Sequence, residues 1–157
     1  MSEDNGAQRS GFGGGVPLQV LLTETYPTAR RGLCDLLTSQ GFQMVAEVTD
    51  NWNAVRLVKE VKPDVAILDA AGEFLSGLKA AREILLWNRK AKIIFLSLHA
   101  ESQYALAAFE AGVRGYVLKA KAAADLGQAI RKVSQGGIYL SSAVSSQPVE
   151  AYLLGNE

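Results

Sequence analysis

Residues 63–69 read Pro-Asp-Val-Ala-Ile-Leu-Asp, an apolar run that begins after a proline and an acid and ends on a second acid. Residues 93–97, Ile-Ile-Phe-Leu-Ser, repeat the pattern with a hydroxyl at the end. Runs that are apolar at successive rather than alternate positions are typical of strands covered by helices on both faces. These two stretches therefore predict central strands of a parallel sheet.

Outward from these two stretches, strand-like and helix-like segments alternate along the chain. Pro27 suits the first turn of a helix, Asp50 or Asn51 can cap the next helix, and Gly41 can end the first. Five strand–helix units in succession imply right-handed crossovers. We therefore predict an α/β fold for residues 17–141, with a doubly wound sheet of five parallel strands.

The composition is that of an ordinary globular domain, and it excludes several classes of protein. The chain has 157 residues, with 16 Lys and Arg against 16 Asp and Glu, so no overall charge favours nucleic acid or acidic lipid. No apolar run approaches the roughly 18 residues of a membrane span. Cys34 is the only cysteine, which excludes an internal disulfide and favours a cytoplasmic location.

The two ends of the chain differ from its middle. Residues 1–16 are rich in glycine and polar side chains, which predicts a disordered leader. Residues 142–157 predict a short C-terminal tail with at most a turn or two of helix. No second domain is expected there, so a helix-turn-helix is not expected either.

Residues that can carry out phosphate chemistry follow four of the five predicted strands. Glu24 follows the first strand, Asp69 ends the third, Ser97 ends the fourth and Lys119 follows the fifth. The carboxyl ends of parallel strands line the ligand crevice of an open sheet. We therefore expect these four side chains to meet at one edge, where they could hold a metal and a phosphoryl group.

Several motifs together resemble one family. They are residues 63–69, the pair Gly77-Leu78, and residues 96–99, 111–119 and 137–140. In this order they are similar to a response-regulator receiver domain with the CheY-like (βα)5 fold, of the subfamily joined to LuxR-type (NarL-type) DNA-binding domains. The resemblance implies the flavodoxin-like strand order 2-1-3-4-5.

The resemblance also implies a role for each residue at the predicted edge. Asp69 would be the phosphoacceptor, since a carboxylate can act as a nucleophile and form a phosphorylated intermediate. Ser97 would be the switch hydroxyl, and Lys119 would pair with the phosphoryl oxygens. Tyr116 would be the aromatic switch residue, whose ring moves inward when Ser97 is engaged.

The chain departs from the family pattern at the metal site. Receivers usually end the first strand with two acids, whereas this chain has Glu24 and Thr25, and Thr25 offers only a neutral hydroxyl. The implied Mg²⁺ ligands are then Glu24, Asp69 and the backbone carbonyl of Ala71, so we expect weakened Mg²⁺ binding. Gly72-Glu73 also replaces the usual Met-Pro pair, which frees that loop and adds a negative charge.

Each of these residues also has a purely structural interpretation. Asp69 could cap a helix, Ser97 could simply end a strand, and Lys119 could be a surface lysine. Tyr116 could be a packing aromatic, since such residues are common beside a sheet edge. His99, the only histidine, is interpreted as a loop residue rather than a metal ligand or base.

Three functional hypotheses follow, and the first is favoured. The chain would be a receiver in a two-component phosphorelay, taking a phosphoryl group on Asp69 from a sensor histidine kinase or phosphotransfer protein. It would signal through protein contacts or as a homodimer, with no membrane and without binding DNA directly. The alternative is a degenerate receiver that acts as a phosphorylation-independent interaction or dimerisation module. An aspartyl phosphatase is not expected, because Ala71 stands where its general acid would be.

Overall fold

The computed structural model describes residues 9–10, 15–144 and 146–155. Its strands are Arg9–Ser10 (β1), Val16–Pro17 (β2), Gln19–Thr23 (β3), Gln43–Val48 (β4), Val65–Asp69 (β5), Ile93–Ser97 (β6), Gly115–Leu118 (β7) and Tyr139–Leu140 (β8). Its helices are Pro27–Ser39 (α1), Asn51–Val61 (α2), Phe74–Trp87 (α3), Ser102–Glu110 (α4), Ala122–Ser134 (α5) and Gln147–Gly155 (α6), with a 3-10 turn at Lys119–Lys121.

The main sheet is parallel, with the order β4-β3-β5-β6-β7-β8. The five predicted strands lie in it in the predicted order, 2-1-3-4-5. The prediction of five strands is wrong, because Tyr139–Leu140 adds a sixth strand beside β7. The Tyr139 N–H donates to Arg114 O at 3.0 Å and the Ser141 N–H donates to Tyr116 O at 3.0 Å. These bonds satisfy backbone groups that would otherwise be exposed along an edge strand.

Helices cover both faces of the sheet, and alternate strand residues point to opposite sides. One core lies under α1 and α5 and includes Val20, Ile67 and Leu96. The other lies under α2, α3 and α4 and includes Leu68 and Phe95. Since both faces are buried, the central strands are apolar at every position, as the sequence predicted.

The predicted helix signals act as expected. Pro27 is the first residue of α1, where its missing N–H has no helical partner to lose. The Asp50 side chain accepts a hydrogen bond from the Asn53 N–H at 2.8 Å and so caps α2. That bond is the first cause that holds the pKa of the Asp50 carboxyl below its usual range. After α1, Gly41 takes a φ of 98°, a conformation that costs glycine little.

The two ends of the chain contain more regular structure than the sequence indicates. Residues 147–155 form a helix of nine residues that packs against α4, and Val149 is buried in the core on that side. Arg9–Ser10, within the predicted leader of residues 1–16, pairs in parallel with Val16–Pro17, which spans the end of that segment. The rest of that prediction, at residues 1–8 and 11–14, lies outside the described residues. Among the described residues, no helix has the length and apolar character to cross a bilayer.

Candidate functional site

The carboxyl edge of the sheet gathers the polar residues that follow the strands. Asp69 ends β5 beside Leu96 of β6, and Ser97 ends β6 beside Leu118 of β7. Lys119 follows β7, and its ammonium reaches across the edge to Glu24 and Asp69. Three of the four residues predicted from strand ends are therefore in direct contact.

Lys119 is the charge that holds this edge together. Its Nζ lies 2.8 Å from Glu24 Oε1, 2.9 Å from Glu24 Oε2 and 3.5 Å from Asp69 Oδ2. Glu24 is 1% exposed, so its carboxylate depends on this partner in place of water. The Tyr26 N–H also donates to Glu24 Oε2 at 3.1 Å, and the ammonium lies 5.5 Å from the centre of the Tyr26 ring. Lys119 is thus part of the site and not a plain surface lysine.

Asp69 is oriented by donors on both sides of its carboxylate. Oδ1 accepts a hydrogen bond from the Ala71 N–H at 2.9 Å. Oδ2 accepts from the Thr25 N–H at 3.3 Å and from the Thr25 hydroxyl at 3.2 Å. The interpretation of Asp69 as a helix cap does not hold, since α3 begins after Glu73. Asp69 is 8% exposed. Its Oδ1 accepts a single hydrogen bond, so a lone pair of that oxygen is free for another partner.

The donor types at this edge fit a magnesium ion, although sparsely. Mg²⁺ is commonly bound through one or two carboxylates plus waters, and Glu24 and Asp69 supply two. Among the residues that the structure describes, no group of three or more His, Cys, Asp or Glu side chains could hold a metal. The Thr25 hydroxyl donates its proton to Asp69, and the side chain adds no charged metal ligand. Lys119 already neutralises Glu24, so a metal ion would compete with an ammonium.

Ser97 and Tyr116 form a second polar unit beside this edge. The Tyr116 hydroxyl oxygen lies 2.8 Å from Ser97 Oγ and 2.7 Å from His99 O, while the His99 N–H donates to Ser97 Oγ at 3.0 Å. A carbonyl can only accept, so the single phenol proton goes to His99 O and the Ser97 proton goes to the phenol oxygen. Both hydroxyl groups are therefore engaged with each other and with the loop after β6.

The Tyr116 ring is fully buried in the core beside the sheet. Burial is the first cause that raises the pKa of its phenol to about 12, so the hydroxyl stays protonated in neutral solution. Its hydroxyl contacts show a polar role in addition to packing.

The loops around the edge are tied together by aromatic contacts. His99 lies in the loop between β6 and α4, as predicted, and its ring stacks on Tyr104 at 3.9 Å. Phe74, the first residue of α3, meets Tyr104 edge-on at 5.1 Å and Phe95 at 5.8 Å. The loop after Asp69, which the sequence predicted to be freer than usual, is thus followed by an anchored residue, Phe74.

Sequence reasoning missed two residues of the site. The Asn51 side-chain amide donates to Asp69 O at 2.9 Å and so ties the start of α2 to the end of β5. Thr25 was treated only as a poor metal ligand, whereas it donates twice to Asp69. Asn51 was noticed as a cap candidate, but nothing in the chain's periodicity indicates a contact 18 residues away.

Four large apolar side chains that lie next to site residues in the chain are exposed. Tyr26, Trp52, Leu75 and Leu98 are each more than 60% exposed. Each adjoins or contacts the residues above, since Tyr26 binds Glu24 through its N–H and Trp52 follows Asn51. Exposed apolar side chains beside a polar site are typical of a surface that meets another protein.

Comparison with known proteins agrees with this geometry. The sequence model of the response regulator receiver domain matches residues 20–131. The chain belongs to this family. Receiver domains interact with histidine kinases or phosphotransfer proteins and generally bind Mg²⁺ at their acidic pocket, and phosphorylation on aspartate is general among them.

Individual receiver-containing proteins place the chain near the LuxR-type regulators. It is 29% identical over 136 residues to the transcriptional regulatory protein DegU of Brevibacillus brevis, covering 86% of this chain and 58% of that protein. It is 32% identical over 131 residues to the transcriptional regulatory protein LiaR of Bacillus subtilis, covering 83% and 62%. The chain therefore spans about three fifths of the length of these relatives.

A solved structure shows the same fold. The two-component response regulator of the LuxR family from Aurantimonas sp. SI85-9A1 superposes with a TM-score of 0.79 at 33% identity. The match covers 87% of this chain and 99% of that one.

Proposed function

We propose that this receiver accepts a phosphoryl group on Asp69 from a histidine kinase or phosphotransfer protein, and that it signals by a change in protein contacts. The observation that carries the proposal is the position of Lys119. Its ammonium lies 3.5 Å from the Asp69 carboxylate at the open edge of the sheet, where it can neutralise an incoming phosphoryl group.

In this proposal Asp69 Oδ1 is the attacking atom. It accepts one hydrogen bond, whereas Oδ2 contacts Thr25 twice and Lys119 once, so Oδ1 keeps more lone-pair capacity. Attack on the phosphorus forms an acyl phosphate while the bond to the donor's histidine nitrogen breaks. Lys119, on the other side of the carboxylate, stabilises the negative charge of the transferred group.

We propose that Mg²⁺ assists weakly, held by Glu24, Asp69 and the Ala71 carbonyl. When bound, such an ion neutralises charge on the phosphoryl oxygens. Thr25 keeps Asp69 oriented by hydrogen bonding instead of contributing a ligand. Mg²⁺ binding is expected to be weak because two carboxylates stand where receivers usually have three. One of the two, Glu24, is already paired with Lys119.

Phosphorylation would be read out through Ser97. Its hydroxyl donates to Tyr116 in the arrangement described above, and a phosphoryl oxygen at Asp69 would compete for that proton. Tyr116 would then keep only the bond that it donates to His99 O, so the link between Ser97 and the loop that leads into α4 would weaken. Because α6 packs on α4, a shift there would also change the surface around the tail.

The exposed apolar side chains of Tyr26, Trp52, Leu75 and Leu98, which adjoin site residues in the chain, support docking of a phosphodonor protein. We propose that the described residues act through such contacts, or as a homodimer, rather than by enzymatic turnover or direct DNA binding. The location we propose is the cytoplasm, where response regulators typically act.

A second candidate is a phosphorylation-independent interaction module. One observation favours it, which is that Tyr116 is already buried and hydrogen-bonded to Ser97 without any phosphoryl group. In that case the inward state would be constitutive and partners would bind regardless of Asp69.

Intact-mass spectrometry after incubation with acetyl phosphate separates the two candidates. We expect an adduct of about 80 Da on the unmodified protein, larger in yield with Mg²⁺, and none on Asp69→Ala. Asp35→Ala is the matched control, because Asp35 is an exposed acid on α1. No adduct and no beryllofluoride binding at millimolar Mg²⁺ would reject phosphorylation and favour the interaction module.

A further inference from the structure

At the amino edge of the main sheet, opposite Asp69, the surface contains a basic cleft of about 840 Å³. It lies between the end of α3, the loops that lead into β6 and β7, and the end of α5. Its cations are Arg82, Arg89, Lys90, Lys92 and Arg114, and its lining contains no acid. We propose that this basic cleft, defined by those five cations, binds a small organic polyphosphate such as a nucleoside triphosphate.

The cations of the basic cleft lack side-chain partners of opposite charge among the described residues. None of the five makes an ion pair with a carboxylate among residues 9–10, 15–144 and 146–155. The nearest acids along the chain are Glu83, beside Arg82, and Glu110, four residues before Arg114, and neither lines the cleft. In a protein with equal numbers of acidic and basic residues, this concentration of one sign is local.

Helix dipoles offset part of this positive charge but not all of it. The carboxyl ends of α3, α4 and α5 all face the cleft, and each carries about half a negative charge. Three such ends offset about one and a half of the five positive charges. The positive charges that are not offset repel one another, and this repulsion destabilises the fold unless an anion is bound.

The shape and lining indicate the class of ligand. The volume lies within the roughly 300–1,000 Å³ of small-molecule sites. Leu85, Ala91, Ala111 and Val133 supply an apolar floor on which a ring or sugar can rest. Three of the five cations are arginines, whose planar guanidinium matches phosphate oxygens in pairs.

The same lining argues against a nucleic-acid strand. Proteins that bind single strands stack the bases on aromatic side chains, and none of the residues that line the cleft is aromatic. Trp87 lines a neighbouring hollow of about 340 Å³, which shares Ala91 and Lys92 with the cleft. A compact polyphosphate is therefore favoured over an extended polymer.

Isothermal titration calorimetry of the full chain with ATP, without Mg²⁺ and in 0.15 M salt, tests the proposal. We expect one site with a Kd below about 100 µM, weakened at least tenfold by the double reversal Arg89→Glu/Arg114→Glu. The matched control is Lys59→Glu/Lys79→Glu, which changes the same charge at exposed positions outside the cleft and should alter the Kd less than twofold. Asp69→Ala should bind ATP normally, so a failure of the phosphorylation proposal leaves this result intact.

Further probes decide what the cleft recognises. Inorganic tripolyphosphate should bind at least fivefold more weakly than ATP, since it lacks a body to rest on the apolar floor. The amide signals of Gly112 and Gly136, which line the cleft, should shift when ATP is added to the unmodified protein. No ATP binding at 1 mM, equal weakening by the control pair, or tighter binding of a single-stranded 12-mer would each overturn the proposal.

Discussion

The two edges of the sheet differ in whether their charged side chains are paired. At the carboxyl edge, Lys119 lies between Glu24 and Asp69, and the acids are 1% and 8% exposed. At the amino edge, five cations line an open cleft and have no carboxylate partner among the described residues. Paired charge keeps the Asp69 carboxylate oriented before any ligand arrives, whereas unpaired positive charge attracts an anion from solution.

The largest expected effect comes from removing the shared cation at the carboxyl edge. Lys119→Met leaves the buried Glu24 carboxylate without its partner, and we expect the free energy of unfolding to fall by about 3–5 kcal/mol. Urea unfolding of this variant and of Lys121→Met, an exposed neighbour, measures the difference. The double variant Glu24→Gln/Lys119→Met should recover most of the loss. An equal loss from Lys121→Met would contradict the assigned pairing.

A smaller effect is expected from Tyr116→Phe. The change leaves Ser97 Oγ and His99 O without their phenol contact, which should cost about 1–3 kcal/mol. It also frees the Ser97 proton, so the yield of acyl phosphate from acetyl phosphate should rise. If the yield falls together with stability, the hydroxyl of Tyr116 assists phosphorylation instead of competing for Ser97.

The same variant sharpens a pH dependence. The folded-state pKa of Tyr116, about 12, is above the ordinary value near 10, so its contribution to stability is complete below pH 10. That contribution is lost as the pH rises from 10 through 12, because the unfolded chain releases its proton first. Unfolding curves across this range should show a shallower loss for Tyr116→Phe than for the parent. Tyr139, whose pKa burial also raises, provides the remaining slope in both proteins.

Thr25→Asp should make the carboxyl edge more like that of other receivers. A third carboxylate should tighten Mg²⁺ binding by roughly tenfold, or about 1.4 kcal/mol, as followed by tryptophan fluorescence. Without metal the same change should lower stability, because a hydrogen bond to Asp69 becomes a repulsion. Thr28→Asp adds the same charge in the first turn of α1 and should leave Mg²⁺ affinity unchanged. Equal tightening by both variants would point to general electrostatic attraction.

The smallest expected effect lies at the amino edge. Arg89→Gln and Arg114→Gln should each leave the free energy of unfolding within about 0.5 kcal/mol of the parent, or raise it slightly. Each substitution removes a like charge and breaks no ion pair within the described residues. A loss above about 1 kcal/mol from either would mean that the arginine stabilises the fold and that the two edges do not differ as described.

Much of the fold was predictable because its signals are local. The unbroken apolar runs at residues 65–69 and 93–97 identified central strands, and Pro27 and Asp50 marked helix starts. The sixth strand was not predicted, since two residues carry too little pattern to separate a strand from a loop. Helix α6 was underestimated for a similar reason, because its packing against α4 does more to define it than its own periodicity.

The same distinction between local signals and long-range contacts applies to the candidate site. The positions of Asp69, Ser97 and Lys119 at strand ends followed from the sequence and from the rule that parallel strands share one edge. The side-chain contacts that orient these residues could not be predicted from the sequence. Asn51 and Thr25 reach Asp69 across 18 and 44 residues of chain, and no spacing in the sequence indicates such contacts.

By itself, the sequence determined the family, the order of the five main strands and the residues available at the carboxyl edge. The family and the strand order follow from motifs that resemble those of receiver domains, and the edge residues follow from where the apolar runs end. Only the tertiary structure decided that Lys119 neutralises Glu24, that Tyr116 engages Ser97, and that cations between residues 82 and 114 meet in one basic cleft. The physical reason is that charge pairing and cavity shape depend on distances through space, which the folded packing of helices on the sheet alone sets.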